Sequence, residues 1–406
     1  MPAADPVPLL PDRRVADSLL LVATIGIFQT GLGILAALIP VSLAHAGTPV
    51  ALSGLVLSAG SAGFLLGCLV VPAVVRTLGL QGSLFAAVAL SSLCSVLLWV
   101  TGPGAAWILV RGVSGFASGI VFPIVEAWLA DRAPPGRRAA VFSLYQITSR
   151  SVYALAQLSL AWVDPAAAAL FLAAAVAAMV TPTPSLAVSR AAPRPGQRLV
   201  GAILAVPRKA PAAAGGAFAH GLVTSAATSL FPLWALARGF SVERMALVLV
   251  CLQIAAILVQ VPVGLVADRL DRRVVMAAIA LACAVLSVFG PQALALPFAM
   301  QPLVYGLWGA SFYPLYSVAV AHMNDIARPD ERVAWGGSLL VLWGIGATIG
   351  PMLGGAAMDA LGSGALFAFT AFGSFALFAF LVWRLAAQRR ERQPGQPLGV
   401  PFDTPP

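Results

Sequence analysis

Charge is what this chain has least of. Only 10% of its 406 residues are Asp, Glu, Lys or Arg, against about 25% in a soluble domain, and Lys209 is the single lysine. A water-soluble globule of this length would lack the polar surface to cover itself, so a soluble fold is excluded. Cysteine is also scarce: Cys68, Cys94, Cys251 and Cys283 all fall within apolar stretches, at spacings that fit neither a disulfide framework nor a metal site. They read as small buried apolar residues. No His/Cys/Asp/Glu cluster has zinc or haem spacing, and no G-x-x-x-x-G-K-[ST] loop is present. ATP therefore does not drive this protein directly, and neither an enzyme nor a cofactor is expected. No A-x-A processing site follows a short apolar core near the start, so the first apolar run is expected to be retained.

What the chain has in abundance is apolar length. Residues of hydrophobic type make up 60% of it, in runs close to the roughly 20 residues that cross a bilayer core of about 30 Å. Twelve runs can be read, at 18–44, 51–75, 80–101, 105–130, 138–162, 165–182, 211–237, 245–267, 274–291, 293–324, 333–358 and 363–386. Uniformly apolar segments favour helices over barrel strands, which alternate over about 10 residues. The expected class is an all-α polytopic membrane protein. Gly290, Pro291 and Pro297 crowd the turn between the ninth and tenth runs, and Pro302 and Pro314 interrupt the tenth.

Arginine placement orients these spans, because basic residues near span ends stay on the cytoplasmic side. Twenty of the 24 basic residues fall in the two tails, the central linker and alternate loops. The opposite loops hold only Arg238 and Arg244, and Arg111 and Arg150 lie inside spans. Both termini are expected in the cytoplasm. The net charge of +9 then describes topology and attraction to anionic lipid heads, with no nucleic-acid partner. Near-total use of arginine over lysine, with abundant alanine, points to a GC-rich bacterial genome and an inner-membrane location.

The chain divides near its middle. The expected organisation is a tail at 1–17, a six-helix bundle at 18–182, a Pro- and Arg-rich linker at 183–210, a second six-helix bundle at 211–386 and a tail at 387–406. A repeat supports the division. Gly115-Phe116-Ala117-Ser118-Gly119-Ile120-Val121-Phe122-Pro123 lines up with Gly306-Leu307-Trp308-Gly309-Ala310-Ser311-Phe312-Tyr313-Pro314, 191 residues on, and Pro135-Gly136-Arg137-Arg138 matches Pro329-Asp330-Glu331-Arg332.

Three motifs carry a family resemblance. Gly264-Leu265-Val266-Ala267-Asp268-Arg269-Leu270-Asp271-Arg272-Arg273 is a tight charged turn between two apolar runs. Arg111-Gly112-Val113-Ser114-Gly115 places an arginine among small residues in the fourth span, and Gly344 to Gly355 forms a Gly-Pro run around Gly350 and Pro351 in the eleventh. On these residues the chain resembles the major facilitator superfamily of transporters, in a bacterial branch with drug/proton antiporter-like members. The resemblance implies twelve helices in two pseudo-symmetric six-helix bundles, a central site near the bilayer midplane and a link between Arg111 and proton coupling. It also implies conformational gating at Gly264, Asp268, Arg269, Arg272, Gly350 and Pro351, with Asp268 and Arg272 acting as a latch. The sequence departs from the family pattern twice. The Gly-Pro run belongs to the fifth span in antiporters, and the first-half loop copy, Gly67 to Arg76, has lost its aspartate.

Charge inside a span is costly, at least about 2.5–3.5 kcal/mol at the centre, so such residues face a cavity or a partner. Arg111, Arg150 and Glu126 are the candidates for a central charge. Two readings of Glu126 stand: a protonatable coupling carboxylate, or a structural acid near the cytoplasmic end. Gln146, Arg150, Tyr153 and Gln157 recur at helical spacing and are expected to face a cavity completed by Gln29, His220, Gln253, Tyr305, Trp308 and Tyr313. The expected function is proton-coupled export of a small, amphiphilic organic solute by a monomer that alternates access. A passive facilitator and a transport-inactive receptor remain the alternatives.

Overall fold

The computed structural model describes residues 13–134, 136–188, 202–329 and 331–391. Arg190, Arg194, Arg198 and Arg392 of the topology argument lie outside them. The described residues are helical almost throughout, with no strand: α1 (Arg13–His45), α2 (Val50–Thr101), α3 (Ala106–Arg132), α4 (Arg138–Gln157), α5 (Ala168–Val180), α6 (Ala202–Lys209), α7 (Pro211–Ala237), α8 (Val242–Ala267), α9 (Arg272–Phe289), α10 (Gln301–Phe312), α11 (Pro314–Ile326), α12 (Arg332–Leu361) and α13 (Ala365–Glu391). Among these residues nine helical segments are long and apolar enough to cross a membrane.

Twelve crossings follow from three adjustments to those nine. The 52 residues of α2 reverse at Gly79, whose φ of +70° suits only a residue without a side chain, so α2 supplies two crossings. Helices α4 and α7 add the other two. Each is long enough but diluted by polar residues, Gln146, Arg150 and Gln157 in α4 and His220, Thr224 and Thr228 in α7. The tenth crossing is broken, as its prolines suggested: short 3-10 turns at Pro291–Ala295 and Phe298–Met300 precede α10, and α11 restarts at Pro314.

Some boundaries differ from the sequence reading. Helix α1 begins at Arg13, five residues before the expected span, because a helix continues past the apolar core where arginines reach the headgroup region. The fifth crossing leaves α geometry at Leu158 for a 3-10 turn, Leu158–Ala161. Part of the linker is helical, as α6, whose Lys209 pairs with Glu331 at 3.4 Å.

Glycine decides which helices touch. In a membrane, where lipid is as apolar as leucine, small residues that admit a neighbouring backbone drive helix association. Gly63 and Gly67 of α2 lie against the carbonyls of Gly112 and Phe116 in α3, and Gly115 and Gly119 of α3 lie against those of Gly60 and Phe64. Gly33 of α1 meets Tyr153 of α4 in the same way, and Gly346 and Gly350 of α12 meet Phe218 and Leu222 of α7.

These contacts repeat between halves. Counted as crossings, the first packs on the fifth (α1 on α4) and the seventh on the eleventh (α7 on α12). The second packs on the fourth (α2 on α3) and the eighth on the tenth (α8 on α10), and the third packs on the sixth (second arm of α2 on α5) and the ninth on the twelfth (α9 on α13). Three equivalent pairs at an offset of six crossings are the structural form of the sequence repeat. The resulting fold is twelve helices in two pseudo-symmetric six-helix bundles.

Candidate functional site

The two bundles are joined at one end and apart at the other. At the arginine-poor end, Gly54 of α2 abuts the Pro351 carbonyl of α12, Gly355 lies beside Val50 and Gly54, and the backbone N–H of Val50 donates to Asp359 Oδ1 at 3.1 Å. Phe64 meets Trp343 edge-on, ring centres 6.0 Å apart. Helix α8 packs on α4 and on the Leu158–Ala161 turn. Toward the arginine-rich end the cavity-side faces are open: Gln146 of α4 and Glu126 of α3, each one turn beyond a cavity-lining residue, are exposed.

A cavity of about 460 Å³ lies between the bundles. One bundle contributes Gln29, Leu32 and Leu35 from α1, Gly60, Ser61 and Phe64 from α2, Arg111, Ser118 and Phe122 from α3, and Arg150, Tyr153 and Gln157 from α4. The other supplies Thr228 and Ser229 from α7, Leu252 and Gln253 from α8, Tyr313 between α10 and α11, and Trp343 from α12. The wall is mostly apolar with a few polar groups converging, the composition of an organic-ligand pocket.

Arg111, Arg150, Gln29, Tyr153, Gln157, Gln253 and Tyr313 thus come together as the sequence suggested. Arg150 lies over the Tyr313 ring, 5.5 Å from its centre, a contact between bundles. Gln29 donates to Ser149. Other candidates lie elsewhere. Tyr305 and Trp308 are fully buried in an aromatic cluster with Phe231, Trp234 and Phe367, and Trp308 Nε1 donates to Ser287 Oγ at 2.9 Å. They face the core of their own bundle because α10 turns that side toward α7 and α13. His220 is buried at the joint between α10 and α11, its Nδ1 3.1 Å from the Phe312 carbonyl. Gln146 is exposed one turn outside the cavity, on the open side.

Glu126 is also exposed near the arginine-rich end of α3, where it accepts a 2.9 Å hydrogen bond from the buried Tyr145 hydroxyl. It does not reach Arg150. Tyr316 of the other bundle is among its electrostatic neighbours, so it faces the opening.

The charged turn after α8 divides its work among its residues. Arg272 spans to Asp325 at the end of α11, 2.9 Å away, and to Asp268 at 3.6 Å. Both pairs stay within one bundle. Asp271, not Asp268, caps α9: its carboxylate accepts from the Arg273 backbone N–H at 2.9 Å and from that residue's guanidinium at 2.6 Å. Arg269 is exposed and Gly264 has open space around it. Pro351 sits in the closed seam, its carbonyl against Gly54 of α2, whereas Gly350 packs on Leu222 of α7 within its own bundle.

Ser61, Phe64, Ser118, Thr228, Ser229 and Trp343 line the cavity without having been singled out in the sequence. Serines and threonines are scattered through most spans, and only helix rotation tells which ones face inward.

Residues 4–157 and 213–404 match the family model described as Major Facilitator Superfamily. The chain belongs to this superfamily. It is 24% identical over 355 residues, 87% of the chain and 92% of the relative, to an "Uncharacterized MFS-type transporter" of Yersinia pestis. It is 25% identical over 361 residues, with the same coverage, to YcaD of Escherichia fergusonii. Among solved structures, the nucleoside transporter NupG aligns with a TM-score of 0.75 at 15% identity, covering 92% of this chain and 99% of that one. A D-xylose-proton symporter aligns at 0.71 and 14%, covering 90% and 96%. At such identities these structures establish the fold. The superfamily member described here is a multi-pass membrane protein of membrane transport, and its central cavity occupies the place where transporters of repeated architecture hold their solutes.

Proposed function

We propose that this protein is a proton-coupled secondary transporter that exports a small amphiphilic organic solute across a bacterial inner membrane by alternating access. One observation carries the reading: a mixed polar and apolar cavity between two bundles, closed at one end and reachable from the other. Its volume suits a solute of drug size or smaller. Outward movement is what the resemblance to drug/proton antiporters implies. The positive-inside rule makes the open, arginine-rich end cytoplasmic, with both termini on that side.

Glu126 is the coupling carboxylate in this reading. It lies on the route between cavity and cytoplasm, and Tyr145 holds its orientation by donating to Oε1. A carboxylate so placed can take or release a proton as the bundles rock and its access to water changes.

Everted membrane vesicles test the proposal. The lumen is acidified by respiration, and a pH-sensitive dye reports proton efflux on addition of a panel of aromatic and aliphatic monocarboxylates, their primary amides and their amines. Active compounds should collapse the pH gradient with wild type and fail to do so with Glu126→Gln, by at least tenfold in initial rate. Solute flux indifferent to the gradient would establish a passive facilitator. Binding with no flux under any gradient would establish a receptor.

A further inference from the structure

The charges of the cavity are of one sign. Its wall carries two guanidinium groups, Arg111 and Arg150, and no carboxylate. Neither arginine forms an ion pair with any described residue. Arg150 rests on an aromatic ring, which leaves its charge uncompensated. Arg111 is more exposed to the consequences of burial: its Nε is shielded from solvent and bonded to nothing. Its guanidinium packs on the bare Cα of Gly60, where even a methyl group would come within 2.7 Å of Nη2.

An arginine half-buried within the membrane without a charged partner is costly, and fold stability alone does not explain keeping two around one space. Glu126, on the same helix as Arg111, is engaged by Tyr145 and does not line the cavity. A ligand can supply the missing charge. A carboxylate presents two oxygens in the plane that a guanidinium fork matches, and the bond is charge-assisted. Leu32, Leu252 and Trp343 supply apolar wall for the rest of such a molecule.

We infer that the transported solute is an organic anion, a carboxylate or similar oxyanion on a compact apolar body, with Arg111 and Arg150 as its charge ligands. This rests on the transport reading and narrows it. A cationic amphiphile would meet two like charges and no counter-charge in this cavity. The site therefore selects against the positively charged compounds that many efflux proteins handle, by repulsion as well as by lost attraction.

Binding is measured on purified full-length protein in neutral detergent, by thermal stabilisation and by tryptophan fluorescence. The probes are monocarboxylates of graded size, each beside its primary amide and its amine of the same skeleton, with inorganic phosphate as a further arm and phosphatidylglycerol present or absent. The expected result is stabilisation by one or more carboxylates, at least tenfold weaker for the matched amide and absent for the amine. Arg111→Gln and Arg150→Gln should each weaken it at least tenfold, and Arg111→Lys should recover part of the loss, which separates lost charge from lost folding. Several outcomes would overturn the proposal: amides or amines binding as well as the acids, no carboxylate binding, phosphate binding as tightly as any organic acid, or carboxylate binding abolished by phosphatidylglycerol. Flux is read separately in proteoliposomes. A carboxylate that binds but does not cross leaves the anion site standing and defeats transport. Amines that cross, with no preference for acids, defeat the anion site and leave transport standing.

Discussion

Two glycines three residues apart in α2 have different functions, and the difference predicts different failures. A methyl group on Gly63 would collide with the Gly112 carbonyl, which belongs to a helix backbone and cannot yield. Gly63→Val should therefore separate α2 from α3 and leave little folded protein, seen as loss of the monodisperse peak in detergent. At Gly60 the obstacle is the far end of a flexible side chain, Arg111 Nη2. Gly60→Ala should keep the protein folded, with thermal stability within a few degrees of wild type, and push the guanidinium out of place. Affinity for the carboxylate probe should fall several-fold with no loss of expression. A Gly60→Ala protein that binds like wild type would show that the placement of Arg111 is immaterial.

Helix termini carry information that the apolar runs do not. Asp271 caps α9 by accepting from Arg273, whose hydrogen bonds hold its carboxyl below the usual carboxylate range. Because its folded pKa is depressed, its contribution is present above the ordinary carboxylate pKa and disappears as pH falls through the folded value. Asp271→Asn should therefore lower the melting temperature at pH 7, by an amount that shrinks as pH falls below the ordinary carboxylate range, in matched melts. At the other end of the bundle the first N–H groups of α2 have no side-chain cap of their own, and Asp359 provides one from the opposite bundle. A cap is worth about 1 kcal/mol, so Asp359→Ala should favour opening of the arginine-poor end by about fivefold. Spin labels replacing Thr48 and Leu361 in a cysteine-free background would read this as a larger long-distance population. An unchanged distance distribution would mean that the bond does not bias the equilibrium.

Most of the fold was legible because membrane crossing imposes a length and a composition that a single sequence displays openly. Pro314 announced its break, and charge in apolar surroundings singled out Arg111 and Arg150. Rotation about a helix axis is a different matter. Tyr305 and Trp308 carry the same amphipathic chemistry as Tyr313, yet α10 turns the first two into an aromatic core and only the third into the cavity. His220 read as a cavity polar group and instead braces the α10–α11 joint. The Asp359 cap depends on contact between residues 309 positions apart, for which the local sequence has no signature.

The whole molecule is joined through α2, α12, α4 and α8 at one end and open at the other, which in the proposed reading is one of the two states of alternating access. In the proposed orientation, with the arginine-rich ends inside, the opening lies on the cytoplasmic face. Gln146→Cys and Gln260→Cys, each alone in a cysteine-free background, lie on the cavity-side faces of α4 and α8 toward that opening, Gln260 one heptad beyond Gln253. A membrane-impermeant maleimide should label both rapidly in everted vesicles and neither in intact cells. Labelling in cells alone would invert the topology and make the cavity open to the outside. Addition of the carboxylate probe should slow labelling at both positions, since an anion held by Arg111 and Arg150 of one bundle and packed on Leu252 and Trp343 of the other bridges the two. Slowing by the acid and not by its amide would tie the movement of the two bundles to the charge of the solute.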